Sequence, residues 1–320
     1  MHFASLLFLA IANTTFAKSS TGCKKELPPA FPNPGKSTPL NLPGTDRDYR
    51  LYIPRNYDHN NPTPLYISLH GANRNMDEQE RLSQFSNPLF NPDGIAVYPN
   101  SRNGYWLSNP KAHTSRPNDL DYMYDLITHL EDKLCIDTNR IYAAGKSNGA
   151  GFAGVMACNA TVGSKIAAFA SVSGGYYNIS DIPGLGPCSP APRDEGYPFL
   201  EFHGTKDTTS PYDGGGRDDK RPVIDVLEEW AGRNGCPKDA EWSSNVTVFE
   251  HPLVKHASWD CGGKKGIVQH YREGDWGHCW ASTVPNGDTE AFWKQCSLGK
   301  YVFNATEIIF DFFSGYQLKE

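Results

Sequence analysis

Long basic runs are absent from this chain: no cluster of Lys or Arg exceeds a pair or a triplet, and the formal net charge is −6. A polyanion such as nucleic acid therefore finds no electrostatic footprint to bind. Beyond the first seventeen residues no stretch is long and apolar enough to cross a bilayer, so the body of the chain is not a membrane protein of the helical kind. No C-x-x-C pair occurs, which counts against the rival reading of the eight cysteines as zinc ligands. Internal repeats and low-complexity tracts are missing as well. Nothing marks a linker between two folded units.

What is present points to export. The opening "MHFASLLFLAIANTTFA" holds an apolar stretch from Phe3 to Ala12 and ends in small residues before Lys18, the layout of a signal peptide over residues 1–17. The remainder, 18–320, is read as a single secreted domain, since 38% hydrophobic and 12% aromatic residues suffice for a large core. Cys23, Cys135, Cys158, Cys188, Cys236, Cys261, Cys279 and Cys296 are even in number, so disulfides are expected, with their pairing open. Acceptor sequons at Asn159, Asn178, Asn245 and Asn304 suit a secreted glycoprotein.

Residues Lys18 to about Leu42 are rich in Pro, Gly and Ser and read as an irregular arm tethered by Cys23. Then short apolar runs alternate with helical patterns: "YRLYIP" (49–54), "PLYISLH" (64–70), "GIAVYP" (94–99), "RIYAAG" (140–145), "AFASVSG" (168–174), "PFLEFHG" (198–204) and "GIVQHY" (266–271). Most are β-branched or aromatic and closed by Gly or Pro, and several suit strands buried on both faces. Leu120, Tyr124, Ile127, Leu130 and Leu134 recur at helical spacing behind the caps Asn118 or Asp119. Further helices are expected over 222–235 and 304–315. Alternation of this kind predicts an α/β fold with a mainly parallel central sheet and helices on both faces.

The chemistry centres on "AAGKSNGAGFAG", residues 143–154. A strand that turns sharply into a helix crowds the positions two before and two after its apical residue, and glycine relieves the clash. Gly145 and Gly149 flank Ser147 in that way, after a strand and before a small-residue helix, which is the context of a nucleophile elbow. A serine hydroxyl needs a base, and the base an orienting acid, which α/β hydrolases supply later in the chain in the order acid, then His. Asp207 lies just past the strand 198–202, with Asp213 as the runner-up. Of ten histidines, His278 in "YREGDWGHCWAST" follows the late strand and both partners. His270 sits within that strand and suits a structural role, His251 and His256 precede it, and His70 and His203 suit the shaping of turns. Backbone N–H groups of Asn148 and of Ala72 in "HGANRN" are the candidate oxyanion donors.

"LHGANRN", "GIAVYPNS", "DTNRIYAAGKSNGAGF", "FLEFHGTKDTTSPYDGG", "VLEEWAGRNGC" and "GHCW", in this order, resemble secreted fungal feruloyl esterases, of the carbohydrate-esterase group related to acetyl xylan esterases and polyhydroxybutyrate depolymerases. The resemblance spans roughly residues 20 to 316, and "TGCKK" tilts it toward the feruloyl branch. It implies an α/β-hydrolase fold, a triad on Ser147, Asp207 and His278, no cofactor and no metal. The substrates it implies are feruloylated plant cell-wall polysaccharide or small phenolic esters, with acetylated xylan or a polyester as alternatives. Three positions depart from the pattern: Lys146 before the serine, Ala150 after "SNG", and Ala281 after "GHCW". Lys146 is expected to be a solvated surface lysine, with a charge that alters the pocket's field as the alternative. Trp106, Tyr176 and Trp280 are the candidate walls for a flat phenolic acid, with core packing as the bland alternative. A non-catalytic carbohydrate-binding protein would be expected to have lost a triad member, and all three are present.

Overall fold

The computed structural model describes residues 17–178, 181–182, 185–216, 218–237, 240–290, 296 and 301–319. The expected signal peptide thus falls outside the described residues, apart from Ala17. The strands are β1 (Lys36–Asn41), β2 (Asp48–Ile53), β3 (Thr63–Leu69), β4 (Ile95–Pro99), β5 (Ile136–Lys146), β6 (Ala168–Val172), β7 (Phe199–Gly204), β8 (Ser244–Thr247), β9 (Val254–Cys261) and β10 (Lys264–Glu273). They form one sheet in the order β1-β2-β4-β3-β5-β6-β7-β10-β9-β8. From β4 to β10 every neighbouring pair is parallel, while the pairs beyond either end are antiparallel.

The helices are α1 (Met76–Ser83), α2 (Asp119–Lys133), α3 (Asn148–Cys158), α4 (Ala160–Gly163), α5 (Val223–Arg233), α6 (Gly287–Glu290) and α7 (Ala305–Ser314). Alternate residues of a strand feed opposite faces, so the sheet has two cores. Ile141 and Ala143 of β5 join one with Met123, Leu126, Phe152 and Trp230 from α2, α3 and α5. Tyr142 and Ala144 join the other with Phe85, Ile309 and Phe313, where Tyr142 stacks on Phe313 of α7 at 4.8 Å. Strand order reverses at β3, whose neighbours are β4 and β5. Ligands of open α/β sheets bind outside the carboxyl ends of the strands at such a reversal. Ala72 follows β3 and Ser147 follows β5, so the expected site lies there.

One sequence expectation needs correction. The arm is not wholly irregular, because Lys36–Asn41 pairs antiparallel with β2; at a sheet edge Pro39 costs the ladder little. Its start is bound to the body through Cys23–Cys135 and through the Ser20 hydroxyl, which donates to the Leu134 carbonyl at 2.6 Å. Cys158–Cys188, Cys236–Cys261 and Cys279–Cys296 complete the pairing, leaving no free thiol. Of the four sequon asparagines, Asn304 is 2% exposed. Its Oδ1 caps α7 by accepting from Thr306 N at 2.9 Å, and its Nδ2 donates to Ser282 Oγ at 3.3 Å. A glycan on that nitrogen would expel the cap. Asn245, by contrast, is exposed on the edge strand β8. Expressed through a eukaryotic secretory pathway, the chain is expected to carry glycan at Asn245 and none at Asn304, as read by glycopeptide mass spectrometry.

Candidate active site

Ser147 is the single residue between β5 and α3, and its backbone sits at φ 55°, ψ −116°, a region side chains normally avoid. Its amide donates to Val172 O at 3.0 Å, and its carbonyl accepts from Gly151 N and Gly175 N at 3.0 and 2.9 Å. These bonds hold the strained residue in place. A Cβ on Gly145 would stand 2.3 Å from the Gly149 carbonyl carbon, and one on Gly149 would stand 2.4 Å from Leu69 O. Both contacts are with backbone, which cannot yield. The two glycines are therefore what lets β5 turn directly into α3 and leave the serine at the turn.

Asp207, in the loop after β7, is 4% exposed. Thr209 N and Ser210 N donate to its Oδ1 at 2.8 and 2.7 Å, and His278 Nδ1 donates to its Oδ2 at 2.6 Å. Burial by itself would raise this carboxyl, yet the hydrogen bonds and charges of His203 and His278 outweigh it and hold the group far below the usual carboxylate range. The runner-up, Asp213, is exposed. His278 is pushed below the ordinary imidazole value by burial first and then by the Lys146 charge, against the opposing pull of Asp207. Ser147 and His278 line one cavity of about 870 Å³. No hydrogen bond joins the Ser147 hydroxyl to the His278 ring; in unliganded enzymes such contacts are often long or poorly aligned.

The other histidines sort by their partners. His70 Nδ1 lies 2.8 Å from Gly71 O and its Nε2 accepts from Ser101 N at 3.0 Å, so it ties two loops, as a turn-shaping residue should. His270 is buried in β10 with Nδ1 2.8 Å from Glu201 and Nε2 3.0 Å from the Tyr212 hydroxyl, a structural placement. His203 does more than shape a turn. Fully buried, it has Nδ1 2.8 Å from Glu201 Oε1 and Nε2 3.4 Å from Asp207 Oδ2. Burial lowers its affinity for a proton, but Glu201 and Asp207 more than compensate and the ring is pushed up to about 10. Sequence patterns do not announce an imidazolium behind Asp207; the only trace is that Glu201 and His203 alternate on one strand face.

Ala72 and Asn148, the expected oxyanion donors, line the same cavity. Asn148 opens α3, where the first N–H groups have no intrahelical acceptor. The Asn148 side chain also braces the site, because its Oδ1 accepts from Trp106 N at 2.8 Å and its Nδ2 donates to Ser108 Oγ at 2.6 Å. This pins the loop after β4 against the elbow.

The three expected walls do not reach the cavity. Trp106 is fully buried, donates Nε1 to His70 O at 2.9 Å and stacks on Phe152. Trp280 is fully buried and donates to Thr306 Oγ1 at 2.9 Å. Tyr176 is 6% exposed, with its hydroxyl 2.5 Å from Ser171 Oγ. The cavity is instead lined by their chain neighbours Tyr105 and Tyr177. Tyr105 is extended, at φ −131° and ψ 130°, and in extended backbone adjacent side chains point to opposite sides. Around the tyrosines stand polar and charged groups, among them Arg74, Asn109, Lys111 and Lys220. Lys146 also departs from expectation: it is 4% exposed, not solvated.

No family model matches the chain. Among sequence relatives, a probable feruloyl esterase C of Aspergillus niger is 27% identical over 237 residues, covering 72% of this chain and 75% of its own length. A bifunctional acetylxylan esterase/xylanase of Neocallimastix patriciarum is 26% identical over 73% of this chain and 31% of its own. Among solved structures, the acetyl xylan esterase from Aspergillus awamori superposes with a TM-score of 0.58 at 17% identity, covering 76% of this chain and 94% of that one. A thermostable esterase gives 0.53 at 16% identity, covering 88% and 63%. The fold is thus the α/β-hydrolase fold, and the resemblance to feruloyl esterases related to acetyl xylan esterases is borne out.

An imidazole whose proton affinity is lowered stays neutral to lower pH. The His278 ring is accordingly expected to titrate with a midpoint below 6.5, measured by NMR of its ring nitrogens. A midpoint above that value would contradict the balance of burial and Lys146 over Asp207.

Proposed function

We propose that this chain is a secreted serine carboxylic-ester hydrolase, one catalytic domain over residues 18–320, that releases ferulate and related hydroxycinnamates from plant cell-wall arabinoxylan. The observation that carries the reading is the Asp207–His278 hydrogen bond of 2.6 Å at the cavity that also holds Ser147 on its glycine-relieved elbow. Support for the substrate comes from the relatives, several of which are named feruloyl esterases at 27% identity. Export is supported by the leader-like first residues and by four disulfides, which persist in oxidising surroundings.

In the proposed reaction His278 Nε2 takes the proton of Ser147 as its oxygen attacks the ester carbonyl. Asp207 orients the ring through Nδ1 and stabilises the imidazolium. The amides of Ala72 and Asn148 receive the negative charge that develops on the carbonyl oxygen. The imidazolium then hands its proton to the departing sugar oxygen, and water cleaves the acyl-enzyme by the same route in reverse. Among the described residues no group of three or more His, Cys, Asp or Glu is placed to hold a metal ion, and no helix is long and apolar enough to cross a membrane.

A second reading keeps the triad and exchanges the acyl group. Because Trp106, Tyr176 and Trp280 belong to the core, Tyr105 and Tyr177 are left to grip a phenolic ring in a cavity whose other lining residues are mostly polar or charged. An acetyl group needs no such grip, and one relative is named for acetylxylan. Ser147→Ala is expected to lower kcat at least about a thousandfold with an unchanged circular dichroism spectrum; retained activity would refute the nucleophile. Rates on methyl ferulate, acetylated xylan and a short hydroxyalkanoate ester rank the substrates, and methyl ferulate is expected to be fastest.

A further inference from the structure

Lysine is seldom buried without a partner that repays its lost hydration. Lys146, the last residue of β5, has such partners in the loop that carries His278. Its Nζ donates to the His278 carbonyl at 3.1 Å and lies 3.9 Å from Asp288 Oδ2. That same carboxylate oxygen accepts from Trp280 N at 2.7 Å. One ammonium therefore reaches the loop on both sides of Cys279. Ser173, just past β6, donates its hydroxyl to the Cys279 carbonyl at 3.1 Å. The ends of two adjacent parallel strands thus grip consecutive carbonyls of the loop.

We infer that Lys146 is a positioning residue: it fastens the backbone of the base-bearing loop to the strand that carries the nucleophile, and it leaves a fixed positive charge beside His278. The inference rests on the proposed triad. It gives a physical role to the lysine that departs from the resembling pattern at this position of the elbow. An apolar side chain could neither donate to the His278 carbonyl nor pair with the α6 carboxylate.

The surrounding charges fix the sign of the effect. Lys146 is faced by Asp288 of α6, Asp207 after β7, Glu273 at the end of β10 and Arg74 ahead of α1. Burial pushes its amine down, the three carboxyls push back, and Arg74 adds to the fall. His278 is faced by Lys146, Asp207 and His203. The two cations disfavour imidazolium and the carboxylate favours it. Removing the charge at position 146 should therefore make His278 easier to protonate, so that activity is lost at higher pH on acidification.

Two substitutions separate the tether from the charge. Lys146→Gln keeps a donor and loses the charge; Lys146→Met loses both. In kcat/KM profiles from pH 4 to 9 on methyl ferulate or 4-nitrophenyl acetate, both are expected to raise the acid limb by about one pH unit. The Met variant should also lose kcat by roughly tenfold or more, with the Gln variant within about threefold of the parent. Acid limbs that stay at the parental pH in both variants overturn the inference. Asp288→Asn supplies an independent arm if the lysine variants fail to fold. It keeps an acceptor for Trp280 and strips a counter-charge from Lys146, so the acid limb should move down, and an unmoved limb is equally fatal. An enzyme that Ser147→Ala inactivates but whose profile ignores position 146 would sink this inference and leave the triad standing.

Discussion

The site depends on a contact that only two missing side chains permit. Gly145 and Gly149 pass so closely that a β-carbon on the first would lie 2.3 Å from the carbonyl carbon of the second. That closeness folds β5 back into α3 within one residue and forces Ser147 into a backbone region with positive φ. Three consequences follow from the same turn. The serine is lifted clear of the sheet, the amide of Asn148 is left without an intrahelical acceptor, and the Asn148 side chain is set to hold the loop after β4.

Around this fixed point the remaining groups arrive from distant parts of the chain, and electrostatics rather than sequence proximity holds them. Asp207 is gripped from in front by His278 and from behind by His203, which itself leans on Glu201. The buried groups alternate in character from Glu201 through His203 and Asp207 to His278, acid beside base. Each is stabilised by its neighbour, as ionisable groups in a dry interior must be. Glu273 stands outside that alternation: among the described residues neither of its buried oxygens has a hydrogen-bond partner, and burial together with Glu201 pushes it up to about 8. A second negative charge near Asp207 is thereby disfavoured.

Parallel strands and the elbow are legible in the sequence because both are local patterns: apolar runs closed by glycine, and a serine between two glycines at fixed spacing. The edge strands are less visible. Lys36–Asn41 contains proline and Ser244–Thr247 is mostly exposed, and neither carries the buried pattern of a central strand. The loops that line the cavity are recognisable, but the phase of their side chains is not. "NGYWLSN" sends Tyr105 to the cavity and Trp106 to the core, and "SGGYYN" does the same with Tyr177 and Tyr176. Aromatic content cannot set that phase, since it depends on which neighbour the opposite face packs against. The burial of Lys146 is hidden for a related reason. Its partners, His278 and Asp288, lie more than a hundred residues away, and nothing nearby announces them.

The Cys279–Cys296 bridge sits immediately beside His278 in the chain. Its formation is an oxidation, and a newly made polypeptide in a reducing compartment would hold two thiols there instead. The loop bearing the imidazole would then have one anchor fewer, so the placing of the His278 ring rests on an oxidation as well as on packing.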